Sequence, residues 1–311
     1  MPETALIFPG QGSQRLGMGR DLAEAHPVAR ELYARADELL GRCLSCLCFE
    51  GPEEELNDTI NTQPALYVTS MALLEVLRAD GALAGVAMVA GHSLGELTAL
   101  AAAGSLDFDD GLRLVQERGR LMKLAGEQNP GGMAAVLKME DAAVEKACRR
   151  ASEETGKAVQ IANYNSPGQV VISGDQQALD RAMEILREQG ARRLIPLAVS
   201  IAAHSPSMAN VVQQFRAAVA ATPVRAPEIP VIGNISARPL LGVADIRDEL
   251  AGQLTWPVRW TASVQWIVEQ RVERFIEVGP GDVLSKLVAR IAPDVDVLSA
   301  GDVASVAALA G

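Results

Sequence analysis

The sequence predicts an α/β protein interrupted by a compact second unit of ferredoxin-like order, and three observations carry that expectation. Short apolar runs at residues 5–8 and 86–90, and the strand-like segment 272–278, each end at a glycine-bearing turn that leads toward a helix-patterned segment, as strands with crossover helices do. Between residues 133 and 198 the pattern instead reads β-α-β-β-α-β, a self-contained supersecondary unit. Hydrophobic residues make up 49% of the 311 positions and aromatic residues only 4%, so the core is mainly Ala, Leu, Val and Ile, which suits helices laid on a sheet. A chain of this length has room for one large domain and a small one.

In chain order, the run at 5–8 stops at Pro9 and the loop GQGSQRLGMG. Residues 21–40 read as helix, interrupted or restarted near Pro27. After an acidic loop at 51–57, residues 63–77 read as a helix with Pro64 in its first turn. The strand at 86–90 runs without a gap into Gly91-His92-Ser93-Leu94-Gly95 and a helix at 96–103. A further helix spans 109–124, apolar at 112, 114, 115, 121 and 122 and basic at 113, 118, 120 and 123. Asn129-Pro130-Gly131-Gly132 marks a change. Beyond it come strand 133–138, helix 140–155, strands 158–163 and 169–173, helix 175–189 and strand 192–198. The expected division is therefore a small unit at 130–199 and a large one formed by 1–129 and 200–311. The large unit continues with helix 205–221, a proline-marked connection, strand 229–235, helices 245–254 and 258–270, strand 272–278 and helix 283–291. The last residues, SAGDVASVAALAG, read as a short helix or a frayed tail.

Charge and composition narrow the function classes. Lys plus Arg number 28 against 39 Asp plus Glu, a formal net of -11. That sign disfavours nucleic-acid backbones and anionic membrane surfaces, although one arginine in a pocket can still hold an anion. No window approaches the ~20 apolar residues of a membrane span, and MPETALIFPGQG has neither the basic segment nor the apolar run of a signal peptide. The expected location is cytoplasmic. Cys43-x-x-Cys46-x-Cys48 resembles half a metal site, but no histidine is near and no second pair exists. These cysteines and Cys148 are expected to be reduced thiols, with no metal. Gly10-x-Gly12 begins like a dinucleotide fingerprint, but Arg15 stands where the third glycine belongs and no acidic ribose ligand follows, so no cofactor is expected.

Ser93 carries the strongest chemical signal. A strand, the turn GHSLG and a helix form the context of a nucleophile elbow, in which a serine sits at a helix start where free N–H groups point outward. A serine hydroxyl is a poor nucleophile alone; it needs a base in reach and an oxyanion hole. The N–H of Leu94 is the natural first oxyanion donor, and the GQGSQ loop offers a second through Gln11. Of three histidines, His26 lies in a polar helix, and His92 is expected to point away from the serine. His204, in VSIAAHSPSM and downstream of Ser93, is the expected base. No acid between them stands out as a third member, which points to a carbonyl as the group that orients His204.

With those residues on the page, the chain resembles the malonyl-CoA:acyl carrier protein transacylases of fatty-acid and polyketide synthesis. The matching stretches are FPGQGSQ at 8–14, GHSLGE at 91–96, QERGRLM at 116–122, NSPGQVVISG at 165–174, the histidine segment at 200–208, QLTWPVRW at 253–260 and EVGPGDVLSKL at 277–287. The resemblance implies an α/β-hydrolase-like large subdomain with an inserted ferredoxin-like small one. It implies ping-pong transfer of malonyl from malonyl-CoA through Ser93 to the phosphopantetheine thiol of holo-acyl carrier protein, with His204 moving the protons. It assigns the N–H groups of Gln11 and Leu94 to the oxyanion hole, and places the substrate-carboxylate arginine at Arg118, where guanidinium can grip a carboxylate bidentately. By the same resemblance an oxygen of Gln253 orients His204, and a monomer is expected. Asn165 is a candidate pocket residue near the junction of the two units. Many malonyl-selective relatives have an aromatic residue before the histidine, whereas Ala203 stands here; the expectation is malonyl preference with tolerance for larger α-substituents.

An acidic carrier protein would need a local basic patch, for which Arg187, Arg192, Arg193, Lys286 and Arg290 are the candidates. Two competing readings are a hydrolase of the same architecture, which would need no carboxylate clamp, and a non-catalytic carrier-binding protein, which would need neither Ser93 nor His204.

Overall fold

The computed structural model describes residues 3–310. Ten strands occur in the described chain: β1 Thr4–Phe8, β2 Val86–Gly91, β3 Gly131–Leu137, β4 Val159–Ser166, β5 Gln169–Asp175, β6 Arg193–Pro196, β7 Val231–Ile232, β8 Pro239–Leu240, β9 Arg274–Val278 and β10 Asp296–Ala300. They form two sheets. The six-stranded sheet has the order β10-β9-β1-β2-β7-β8, parallel except for the β7–β8 hairpin at its edge. Its central strands are apolar on both faces because helices cover both, as a parallel sheet requires. One face packs against the long helices Thr59–Ala79 and Phe108–Gln128; the other carries Trp260, Phe275 and their neighbours.

The second sheet has the order β4-β5-β3-β6, antiparallel throughout, with helices Asp141–Thr155 and Gln176–Glu188 on one face. That is the ferredoxin-like arrangement expected from the alternation. It owns a separate apolar cluster built around Val136, Val144, Ile161, Ile172, Leu179 and Ile185. Strand β4 of the small sheet is stitched to the segment before helix Trp260–Glu269, where Tyr164 N donates to Val258 O (2.9 Å) and Val258 N to Ala162 O (2.8 Å).

Several boundaries differ from the sequence expectation, each for a physical reason. The helix expected at 63–77 begins at Thr59, because Asp58 Oδ1 accepts from Ile60 N (3.2 Å) and caps it earlier; Pro64 therefore lies inside the helix. The acidic loop at 51–57 contains a short helix, Glu53–Leu56, and is preceded by another, Leu44–Glu50. The helix expected at 205–221 is a 3-10 turn at Pro206–Met208 followed by a helix at Val212–Ala221. Ser205, the expected first helical residue, is instead extended (φ -140°, ψ 164°) as the cap of the 3-10 turn, and its Oγ folds back onto Ala202 O (2.7 Å). The strand expected at 229–235 is cut to Val231–Ile232, since Asn234 leaves the sheet to serve the elbow. Residues 292–298 have no assignment from the sequence; β10 lies across their end and joins the sheet edge beside β9, and the tail then forms the short helix Val303–Ala310.

The cysteine expectation is also corrected. Cys43 and Cys46 are joined as a disulfide, not held as reduced thiols. They are the cap and third residue of the helix Leu44–Glu50, which brings their Cα atoms to 5.3 Å, within disulfide range. Cys48 and Cys148 are free and buried.

Candidate active site

The elbow explains both glycines of GHSLG. A Cβ on Gly91 would collide with the backbone of Gly95, and a Cβ on Gly95 with the carbonyl of Phe8. Between them Ser93 is held at φ 53°, a conformation that L residues adopt only under constraint. The constraint is visible: Ser93 N donates to Asn234 Oδ1 (2.7 Å), Asn234 Nδ2 donates to Gly91 O (2.7 Å), and Gln253 Nε2 donates to Ser93 O (3.0 Å).

Ser93 Oγ lies 2.7 Å from His204 Nε2. On the other side of the ring, His204 Nδ1 faces Gln253 O at 2.7 Å and Trp256 O at 3.2 Å. Carbonyls only accept, so Nδ1 carries the proton and Nε2 is free to accept from the serine. The buried imidazole is pushed down to about 3, first by desolvation and then by the nearby Arg118 charge. It is neutral at physiological pH, the state a general base requires. Gln160 of β4 fixes the histidine segment by donating from Nε2 to His204 O (2.8 Å) and Thr255 O (3.0 Å), so the small sheet helps hold the base.

Arg118 is 1% exposed, in the middle of the helix Phe108–Gln128. Its Nη2 donates to Ser93 Oγ (3.0 Å), its Nη1 to Gln63 Oε1 (2.7 Å) and its Nε to Gln253 Oε1 (2.9 Å). Burial pushes the guanidinium down to about 10, partly offset by the charge of Glu96. None of the ion pairs among the described residues includes it. The other basic residues of that helix, Arg113, Arg120 and Lys123, pair at the surface with Asp110, Glu117 and Asp58.

These groups line a cavity of ≈ 330 Å³ at the junction of the two sheets. Gln11, Leu94, Asn165 and Ala203 are on its wall, and Leu197 and Val283 sit at its exposed rim. Among the described residues, neither Gln11 N nor Leu94 N has a protein acceptor. Gln11 is anchored by its side chain, whose Nε2 donates to Thr59 Oγ1 (3.0 Å). His92 also lines the cavity, but its Nε2 bonds Asn165 Oδ1 (2.9 Å) and its ring packs edge-on against Trp260, and among the described residues it makes no hydrogen bond to Ser93 or His204.

The acyl transferase domain model matches residues 5–309 of this chain. The chain is 44% identical to the malonyl CoA-acyl carrier protein transacylase of Escherichia coli strain K12 over 300 residues, covering 96% of this chain and 95% of the relative. It is equally identical to that of Bacillus subtilis strain 168 over 291 residues, covering 94% and 91%. The chain belongs to the malonyl-CoA:acyl carrier protein transacylase family. Among solved structures, an acyl carrier protein S-malonyltransferase from Vibrio cholerae superposes with a TM-score of 0.95 at 43% identity, covering 99% of each chain. A malonyl-transacylase in complex with a type II polyketide acyl carrier protein does so at 0.95 and 40%, covering 99% and 98%. The chain is thus an acyltransferase with the family's α/β-hydrolase-like and ferredoxin-like architecture. No helix among the described residues is long and apolar enough to cross a membrane.

In this acyltransferase the structure brings together all eight site residues named from the sequence: Ser93, His204, Gln11, Leu94, Arg118, Gln253, Asn165 and Ala203. Sequence reasoning missed Gln63, Glu96, Gln160 and Asn234. Glu96 did carry a signal, as the one charged residue of GELTALAA, whereas Gln63 follows Asn61 and Thr62 and does not stand out. Asn234 and Gln160 carried none, because each acts across a sequence separation that only folding closes.

Proposed function

We propose that this acyltransferase moves a malonyl group from malonyl-CoA to the phosphopantetheine thiol of holo-acyl carrier protein through a malonyl-Ser93 ester. The observation that carries the reading is Arg118, a buried cation without a carboxylate in contact, 3.0 Å from the nucleophile. Of the five N–H groups of a guanidinium, three are taken by Gln253, Gln63 and Ser93, which leaves one on each Nη. Those two form a fork that a substrate carboxylate can enter end-on.

In the first half-reaction Ser93 Oγ gives its proton to His204 Nε2 and attacks the thioester carbon. The oxyanion accepts from Gln11 N–H and Leu94 N–H. The C–S bond breaks, and His204 returns the proton to the CoA thiolate. In the second half the carrier thiol gives its proton to His204, its sulfur attacks the ester carbon, the C–Oγ bond breaks, and the proton returns to Ser93. The Gln253 carbonyl holds the imidazole tautomer in both halves without adding charge.

The proposed division is a small subdomain at 130–199 and a large one at 1–129 with 200–311, supported by the separate apolar cluster of the small sheet. The carrier protein is proposed to dock at the cavity rim, where exposed Leu197 and Val283 lie on the same chain segments as exposed Arg192, Arg193, Lys286 and Arg290. The proposed working form is a cytoplasmic monomer. Intact-mass measurement after incubation with malonyl-CoA tests the cycle. A single malonyl adduct on Ser93 that disappears on adding holo-acyl carrier protein is expected. No adduct, or one that the carrier cannot discharge, refutes it.

A further inference from the structure

Arg118 poses an electrostatic problem that the residues touching it do not solve. It is 1% exposed, and its protein partners are two neutral amides and a hydroxyl. An uncompensated buried cation costs several kcal/mol. The carboxylate that bears on it is Glu96, itself 0% exposed, one link away behind Gln253.

The link is directional. The Glu96 carboxylate accepts from Gln253 Nε2 through Oε2, in a short hydrogen bond, and from Asn234 N through Oε1 (2.8 Å). With its NH₂ end drawn to Glu96 and to Ser93 O, Gln253 must turn Oε1 toward Arg118 Nε. The same side chain of Glu96 therefore reaches the elbow through Asn234 and the guanidinium through Gln253. Behind it stands Glu249, 6% exposed, in side-chain hydrogen-bond contact with Glu96 and accepting from Ile235 N. Burial raises both carboxyls; Glu249 raises Glu96 further and Arg118 lowers it, whereas the hydrogen bond from Glu96 lowers Glu249.

We propose that Glu96, backed by Glu249, is a positioning residue that counterbalances Arg118 through the Gln253 amide and so keeps its Nη fork charged and free for a dicarboxylic acyl group. Gln253 occupies Nε, so a carboxylate is steered to the end of the guanidinium, next to Ser93. If Glu96 touched Arg118 directly, it would fill the fork itself. Distance through an amide supplies the charge without occupying the site. This inference rests on the reading of Arg118 as the carboxylate clamp.

Four proteins test it: wild type, Glu96→Gln, Arg118→Met and the double variant. Each is assayed with malonyl-CoA and acetyl-CoA, labelled with a neutral fluorophosphonate that reacts with Ser93, and melted. Glu96→Gln is expected to raise the KM for malonyl-CoA by about tenfold or more, the effect of one weakened charge-assisted contact. Acetyl transfer and Ser93 labelling are expected to fall by a clearly smaller factor than malonyl transfer, a split that a general structural defect does not produce. In the double variant the leftover buried charge is gone, so its Tm is expected to exceed that of Arg118→Met. This comparison decides the matter even if Glu96→Gln alone does not fold. Parallel loss of malonyl transfer, acetyl transfer and labelling in Glu96→Gln, or no gain in Tm in the double variant, overturns the inference. An Arg118→Met enzyme that keeps its malonyl preference overturns the clamp instead.

Discussion

Replacing Arg118 with methionine removes the guanidinium while keeping an apolar stem in a buried helix position. With malonyl-CoA the change deletes a desolvated, hydrogen-bonded charge pair. Truncating one partner of such a pair costs about 2–5 kcal/mol, which is roughly 30-fold to several-thousand-fold in kcat/KM. With acetyl-CoA no carboxylate is lost. Two smaller effects remain, and they oppose one another. Ser93 Oγ loses the 3.0 Å donor that would steady its developing negative charge. His204 loses the cation that is the second cause of its depression to about 3, so it becomes a stronger base. Their sum is expected to stay within about tenfold, the scale of one hydrogen bond. The assay is the rate of Ser93 acylation by each thioester, followed by rapid quench and intact mass. Equal losses for the two substrates would refute the reasoning, because they would assign Arg118 to the serine and not to the malonyl carboxylate.

Two further outcomes follow from the geometry. Because His204 is held neutral down to about 3 by burial and by Arg118, kcat/KM for malonyl-CoA should stay flat from pH ~8 to ~5, without an inflection near the ordinary histidine value of ~6.5. In stability the same depression acts in one direction: the unfolded chain takes the proton near 6.5 and the folded one does not, so the stability His204 contributes is lost as pH falls from there toward 3. A profile with an inflection at 6.5 that disappears in His204→Gln would contradict the buried, neutral base. At the α-carbon end, Ala203 lines the cavity with only a methyl group. The wild type should accept methylmalonyl-CoA at a disadvantage no larger than the roughly 10–200-fold that one methyl earns in an apolar pocket, and Ala203→Phe should widen the gap. Exclusive use of malonyl-CoA by the wild type in a competition assay would dispose of the tolerance.

Elements with strong local patterning were legible in the sequence. The β-α-β-β-α-β unit matched because its strands alternate and its helices carry clear apolar faces, as at Val144, Ala147 and Ala151. Helix Val283–Ile291 matched to the residue. Where tertiary contacts override local preference the pattern failed. The segment after His204 has helical composition, but Ser205 is held extended as the cap of a single 3-10 turn, and the regular helix starts only at Val212. Strand β10 is short, half-exposed and followed by small residues, so only its pairing with β9 defines it.

The sequence by itself determined Ser93 as nucleophile candidate, His204 as its partner and a carbonyl as the orienting group. Those inferences rest on scarcity and local geometry: one elbow, three histidines, and no acid placed to serve. It also held an unused clue to Arg118, which is flanked at helical spacing by buried Leu114, Val115, Leu121 and Met122, the apolar face of its helix. Only the tertiary structure decided which arginine is buried, that Gln253 serves His204 through its backbone and Arg118 through its side chain, and that Glu96 and Asn234 hold the elbow from behind. These are contacts across 25 to 160 positions of chain, set by the angle at which helices cross the sheet, and no window of sequence contains them.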